Sequence, residues 1–206
     1  MPEQATVTIF TFDELEPQVQ SRLIESLRES YEPIYSLVYD EFIEDMSEKY
    51  GACIELDNIQ WTGYWSQGDG ASFTCEFDPS IIYPILKEEL GEDQIDILDM
   101  HNVTLTGAVS ARFGPQYYSH ENTVQGSIEL SHGLDDDGFI IQPAIEAYRT
   151  VMETKLTEII RESSLDLYER LKDEYESVTT DEAIIEEIKN SLPGCSFRKD
   201  GTVFVR

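Results

Sequence analysis

The spacing of hydrophobic and polar residues changes period several times along the chain, and each change marks a predicted element. Residues 6–12 alternate polar and apolar, which predicts a short strand, because successive strand side chains point to opposite faces. Thr11 or Asp13 can then cap a helix, since a side-chain oxygen satisfies a free N–H of the first turn. Leu15, Val19, Leu23 and Leu27 recur on one stripe and predict a helix over 13–30, with Pro17 in its tolerant first turn. Pro33 opens a second helix that ends near Gly51. On a helical wheel Tyr35, Tyr39, Phe42, Ile43, Met46 and Tyr50 share one face, and Asp40, Glu41, Glu44, Asp45 and Glu48 share the opposite one.

Strand-like runs flank Gly68-Asp69-Gly70 and predict a hairpin over about 54–77 that turns on those residues. A short helix is predicted over 78–90, closed by Gly91. Val103, Leu105, Gly107, Val109, Ala111 and Phe113 alternate with polar neighbours, and so do Val124, Gly126, Ile128 and Leu130. The two runs predict a second hairpin over about 103–131 with one packed and one wet face. No breaker occurs from 143 to 178, which predicts one long helix, or two with a bend near Ser163-Ser164. A last helix over 181–190 and a closing hairpin of 195–198 with 202–205 complete the chain. With no repeat, low-complexity tract or linker, the expectation is a single α+β domain over 1–206. Its antiparallel sheet would pack with N-terminal helices and the long C-terminal helix.

Composition narrows what such a domain can do. Of 206 residues 42 are Asp or Glu and 14 are Lys or Arg, a net charge of −28. That balance repels phosphates, so direct nucleic-acid binding and a basic membrane-surface role are both excluded. With 40% hydrophobic and 11% aromatic residues, the chain can still bury a core rather than stay disordered. No run of apolar residues is long enough to span a bilayer, and residues 1–6 do not resemble a secretory signal. Cys53, Cys75 and Cys195 are too scattered for a disulfide framework or zinc site, and a reducing cytoplasm is the expected compartment.

The charge is also uneven. Residues 1–100 hold 23 acids and 4 bases, a net of −19 out of −28. On the second helix Asp40 and Glu44, Glu41 and Asp45, and Glu44 and Glu48 are like-charge neighbours one turn apart. Each such pair costs an isolated helix roughly 0.2–0.5 kcal/mol. Carboxylates repeating every ~5.4 Å are spaced not far from successive phosphates. Asp40, Glu41, Glu44, Asp45 and Glu48 are therefore candidates for steering a basic protein groove onto this chain, and a plain solvated face is the alternative.

The most distinctive segment is 61–73, which holds both tryptophans. Trp61, Tyr64 and Trp65 are candidate aromatic anchors for a partner. Ser66, Gln67, Gly68, Asp69 and Gly70 form a candidate ligand loop, or simply a hairpin turn. The loop lacks Gly-Lys-Ser/Thr, so it is not a P-loop. His101, His120 and His132 have no ligand spacing, and Asp135-Asp136-Asp137-Gly138 does not meet the calcium-loop pattern. No catalytic residues, metal ligands or cofactor are assigned, and the enzyme reading is weak.

Three segments carry a resemblance: Phe12-Asp13-Glu14-Leu15, Trp61-Thr62-Gly63-Tyr64-Trp65-Ser66-Gln67-Gly68-Asp69-Gly70, and Leu167-Tyr168-Glu169-Arg170-Leu171-Lys172-Asp173-Glu174-Tyr175-Glu176 followed by Thr180-Asp181-Glu182-Ala183. Together they resemble a family of small acidic tailed-phage proteins described as antitoxin-like or hypothetical. Phage proteins of similar size and acidity include host-defence antagonists, the anti-DarT factor of T-even phages among them. The resemblance brings no catalytic residues with it. It implies a phage-encoded protein in the host bacterial cytoplasm that inhibits a defence factor or toxin with a basic nucleic-acid-binding cleft. Two other expectations stand beside it: a nucleotide-like ligand binder or hydrolase using loop 66–72, and a structural homodimer through helix 143–178.

Overall fold

The computed structural model describes residues 7–88, 90–91, 107–114, 119–129, 141–191 and 196–204, the side chains of 141–145 and 191 apart. Among these, the helices are α1 (Pro17–Arg28), α2 (Tyr35–Tyr50), α3 (Pro79–Lys87), α4 (Ile141–Thr179) and α5 (Asp181–Ser191). The strands are β1 (Ala52–Cys53), β2 (Ile59–Trp61), β3 (Ala71–Phe73), β4 (Cys75–Phe77), β5 (Val109–Phe113), β6 (Val124–Ile128), β7 (Ser196–Phe197) and β8 (Val203–Phe204). All paired strands are antiparallel, and the fold class is α+β. The chain divides into two compact units, Met1–Tyr35 with Lys172–Arg206, and Ser36–Leu171.

In the first unit α1 and α5 bury facing stripes. Phe12, Leu15, Val19, Ile24, Ile184, Ile188 and Phe197 form the core. The strand expected over 6–12 reduces, within the described residues, to a bridge at Phe10, which exchanges two backbone hydrogen bonds with Phe197. The chain then turns early because the Glu14 carboxylate reaches back to the Thr11 N–H (2.8 Å) and hydroxyl (3.0 Å). A 3-10 turn at Phe12–Glu14 results, and α1 starts at Pro17 rather than at 13. Arg28 fastens the start of α5 by donating to the Thr179 carbonyl (2.8 Å) and pairing with Asp181. The closing hairpin is β7–β8, and Cys195 lies outside the described residues.

The second unit is built on a four-stranded sheet of order β1-β4-β5-β6, with β2–β3 as a separate hairpin. The hairpin expected over 54–77 is thus split between two sheets. Its first strand breaks at a 3-10 turn, Leu56–Asn58, where Asn58 donates back to the Glu55 carbonyl and accepts from the Thr74 N–H. Leu56 is left exposed there. The second expected hairpin is present as β5–β6, in register from Val109 opposite Ile128 to Phe113 opposite Val124; its outer ends, 103–106 and 130–131, and residues 115–118 of its connection lie outside the described residues. Its wet face is not wet throughout, because Ser110 is buried beside Val109 and Ala111 while Arg112 Nε donates to the Ser110 hydroxyl (3.0 Å).

Three helices belong to this unit: α2, α3, which buries Ile82, Tyr83 and Leu86, and most of α4. α2 buries Val38, Phe42 and Met46, and Phe42 meets Phe73 edge to face with ring centroids 5.3 Å apart. It ends at Gly51, whose φ of 65° is the left-handed cap that glycine adopts without a Cβ clash. α4 is one continuous helix with no break at Ser163-Ser164. Ser164 returns its hydroxyl to the Ile160 carbonyl (2.8 Å), which keeps a buried polar group satisfied without interrupting the helix. Tyr148, Met152, Leu156, Ile159, Ile160, Leu167 and Leu171 make its buried stripe.

Candidate functional site

Three neighbouring features of the second unit carry the candidate chemistry. The first is the hairpin turn. Gly68 takes a φ of 99°, and the Asp69 carboxylate accepts hydrogen bonds from the N–H groups of Trp65 (2.8 Å) and Ser66 (2.6 Å). Asp69 N–H in turn donates to the Ser66 carbonyl (3.1 Å). The turn is therefore organised around its own carboxylate, with Asp69 as its structural acceptor. It holds Trp65 outward at 75% exposure.

Behind the turn lies an aromatic cluster. Trp61 Nε1 donates to the Tyr39 hydroxyl (2.7 Å) and its ring stacks on Tyr64 at 5.3 Å between centroids. Tyr64 in turn approaches Tyr168 at 5.8 Å and donates to the Leu171 carbonyl (3.0 Å), while Tyr168 donates to the Gly63 carbonyl (3.3 Å). Burial first, and the Asp69 charge second, raise the Tyr168 pKa above its ordinary value. Of the three expected anchors, Trp61 and Tyr64 are half-buried and brace the hairpin against α2 and α4. Trp65 alone presents most of its surface.

The second feature is the outer face of α2. Asp40, Glu41, Glu44, Asp45 and Glu48 are all exposed, as the wheel predicts. Asp45 departs from the expected uncompensated row. It lies on the flank nearest the buried edge, where Arg170 Nη2 pairs with it at 2.7 Å while Arg170 Nε holds Asp166 at 2.9 Å. Burial works against the Arg170 charge, but these hydrogen bonds outweigh it and keep its pKa above the ordinary value. Asp40, Glu41, Glu44 and Glu48 have no ion-pair partner among the described residues. Leu37, 60% exposed, adds an apolar position at the start of the same face.

The third feature is a groove of about 660 Å³ between α2 and α4, lined by residues of both helices that include Asp45, Glu48, Lys49, Glu162 and Asp166. Its floor is Phe42 and Met46. Lys49 Nζ stands over the Tyr50 ring, 4.8 Å from its centroid, and Tyr50, Glu162 and Asp166 together raise its pKa. Sequence reading missed Glu162, Ser163, Asp166 and Arg170 as site residues. Asp166 and Arg170 are visible as an i,i+4 pair, but nothing local says that they meet α2.

The histidine expectation is placed only in part. His120 sits in a turn, its Nδ1 2.7 Å from a Glu121 carboxylate oxygen, and its ring packs against Gly70. His101, His132 and Asp135–Asp137 lie outside the described residues. Among the described residues no group of three or more His, Cys, Asp or Glu is arranged to hold a metal ion, and no helix is long and apolar enough to cross a membrane.

Residues 34–181 match the family described as Domain of unknown function (DUF8835). The chain belongs to the DUF8835 family. The match covers the whole of the second unit, so the hairpin, the α2 face and the groove all lie within the DUF8835 region. No curated protein and no solved structure matches the chain.

Proposed function

We propose that this chain is a non-catalytic acidic protein that binds a basic surface of another protein. One observation carries the reading: Asp40, Glu41, Glu44 and Glu48 stand exposed on one helix with no ion-pair partner among the described residues. A surface kept only for solubility gains stability from interleaved lysines, and this one forgoes it. Trp65, 75% exposed on the Asp69 turn, supplies an apolar anchor of the type that dominates binding energy, while the charge steers encounter. In its specific form the partner is a host defence factor or toxin with a basic nucleic-acid-binding cleft. The chain would be its phage-encoded inhibitor in the bacterial cytoplasm, a setting supported by the resemblance of the three motifs to acidic tailed-phage proteins.

The two competing readings lose ground on particular contacts. A phosphate cradle in loop 66–72 needs backbone N–H groups, and those of Trp65 and Ser66 already serve Asp69. A dimer through helix 143–178 needs its apolar stripe, which is buried within the chain from Tyr148 to Leu171. Affinity purification from bacterial lysate with mass spectrometry tests the proposal. Basic nucleic-acid-binding proteins should be enriched, and should be released by added DNA and by salt of about 0.5 M. Enrichment that neither DNA nor salt disturbs would refute it.

A further inference from the structure

The groove between α2 and α4 has a composition that the proposed binding surface does not by itself require. Four carboxylates, Asp45, Glu48, Glu162 and Asp166, face two cations, Lys49 and Arg170. Both cations are already engaged: Arg170 by Asp45 and Asp166, and Lys49 by the Tyr50 ring. Glu48 and Glu162 have no ion pair among the described residues. Under them lie the apolar side chains of Phe42 and Met46, only 1% and 4% exposed.

A second, independent feature marks the same place. Ser163 is nine-tenths buried and lines the groove. Its neighbour Ser164 bonds to the carbonyl one turn back, but the Ser163 hydroxyl makes no hydrogen bond with any described residue. The hydroxyl oxygen itself is not fully buried, so it opens onto the groove and is free to exchange a hydrogen bond with a group that enters there. At about 660 Å³ the space lies within the ~300–1,000 Å³ range of pockets that enclose small groups.

We propose that this groove takes arginine side chains from a basic segment of the partner. A guanidinium is planar and weakly hydrated, and carries five N–H donors on an apolar stem. The stem would lie over Phe42 and Met46, and the donors would meet Glu48, Glu162 and the Ser163 hydroxyl. The inference rests on the proposed function but names its partner chemistry, and it places the specific contact in the groove rather than on the outer face. Asp40, Glu41 and Glu44 would then steer, and the groove would hold.

The test uses a fluorescent octa-arginine peptide as probe, followed by anisotropy on the full chain at about 0.15 M salt. Glu48→Gln with Glu162→Gln should weaken binding about tenfold. Glu182→Gln with Glu186→Gln on α5 removes the same charge and should change binding less than about twofold. Arg170→Gln, which frees Asp45 and Asp166, should strengthen it. Equal weakening by both glutamine pairs would reduce the effect to bulk charge and overturn the proposal. No weakening by the groove pair would do the same. Ser163→Leu fills the groove without altering charge and should weaken binding comparably, provided circular dichroism shows the fold kept; retained affinity in a folded variant would also overturn it. Groove-specific peptide binding without any basic partner in lysate would refute the proposed function and leave the groove standing. Partner capture unaffected by the groove pair would do the reverse.

Discussion

At the scale of single residues, environment separates groups that composition treats alike. Cys53 is exposed, whereas burial pushes the Cys75 thiol up to about 12. Thiolate is the reactive form, so at pH 8 only about one Cys75 in ten thousand is nucleophilic. Alkylation of the native protein, mapped by mass spectrometry, should label Cys53 and spare Cys75; comparable labelling of both would contradict the burial described. Asp69 is the other telling residue. One of its oxygens serves two N–H groups of the turn, so Asp69→Ala should lower stability by roughly 1–2 kcal/mol and alter Trp65 emission. Asp69→Asn keeps an acceptor and should stay close to the parent in denaturant midpoint. The sequence leaves Asp69 in either a ligand loop or a plain hairpin turn, because Gly68-Asp69-Gly70 is equally good turn and binding-loop chemistry. Only its bonds to Trp65 and Ser66 separate the two.

At the scale of elements, long-period signals were legible and short-range interruptions were not. The 3.6-residue stripe of α4 and the split faces of α2 are repeated many times over, so chance departures average out. The break at Leu56–Asn58 is not written in any period: it depends on Thr74 finding the Asn58 carbonyl. The early turn at Phe12–Glu14 depends likewise on one carboxylate, Glu14. A further contact hidden from sequence is Gly126, which reads as a member of an alternating strand. A Cβ built there would lie 2.7 Å from Leu156 Cγ, so α4 packs directly on the backbone of β6. In addition, Thr157 and Glu153 of α4 accept the N–H groups of Gly126 and Ile128, both at 3.0 Å, and so cover the edge of the sheet. Gly126→Ala should therefore cost about 1–3 kcal/mol through overpacking, read from chemical denaturation. Adding Leu156→Ala should cost less than the two changes summed, because the new methyl fills part of the space vacated. Strict additivity would mean that the two do not meet.

At the scale of the whole molecule the decisive quantity is the net charge of −28. Self-repulsion at that charge opposes compaction and is screened by salt. Raising NaCl from about 0.02 to 0.5 M should lift Tm, by about 2–4 °C for each kcal/mol relieved; a flat or falling Tm would show that the charges are already balanced locally. The sequence showed how large this charge is and that most of it lies in residues 1–100, since both are counts. It could not show which carboxylates lack partners, because that is decided by cations remote in sequence. Asp45 found Arg170, while Asp40, Glu41 and Glu44 found none among the described residues. Docking of a basic partner depends on those three in the proposed function. In a quantitative pull-down from bacterial lysate, the parent chain is compared with Asp40→Lys, Glu41→Lys and Glu44→Lys combined, both shown folded by circular dichroism. Loss of at least about tenfold in captured basic protein is the predicted result, since reversed charge both slows encounter and repels the partner. Capture of the same proteins in the same amounts would contradict it.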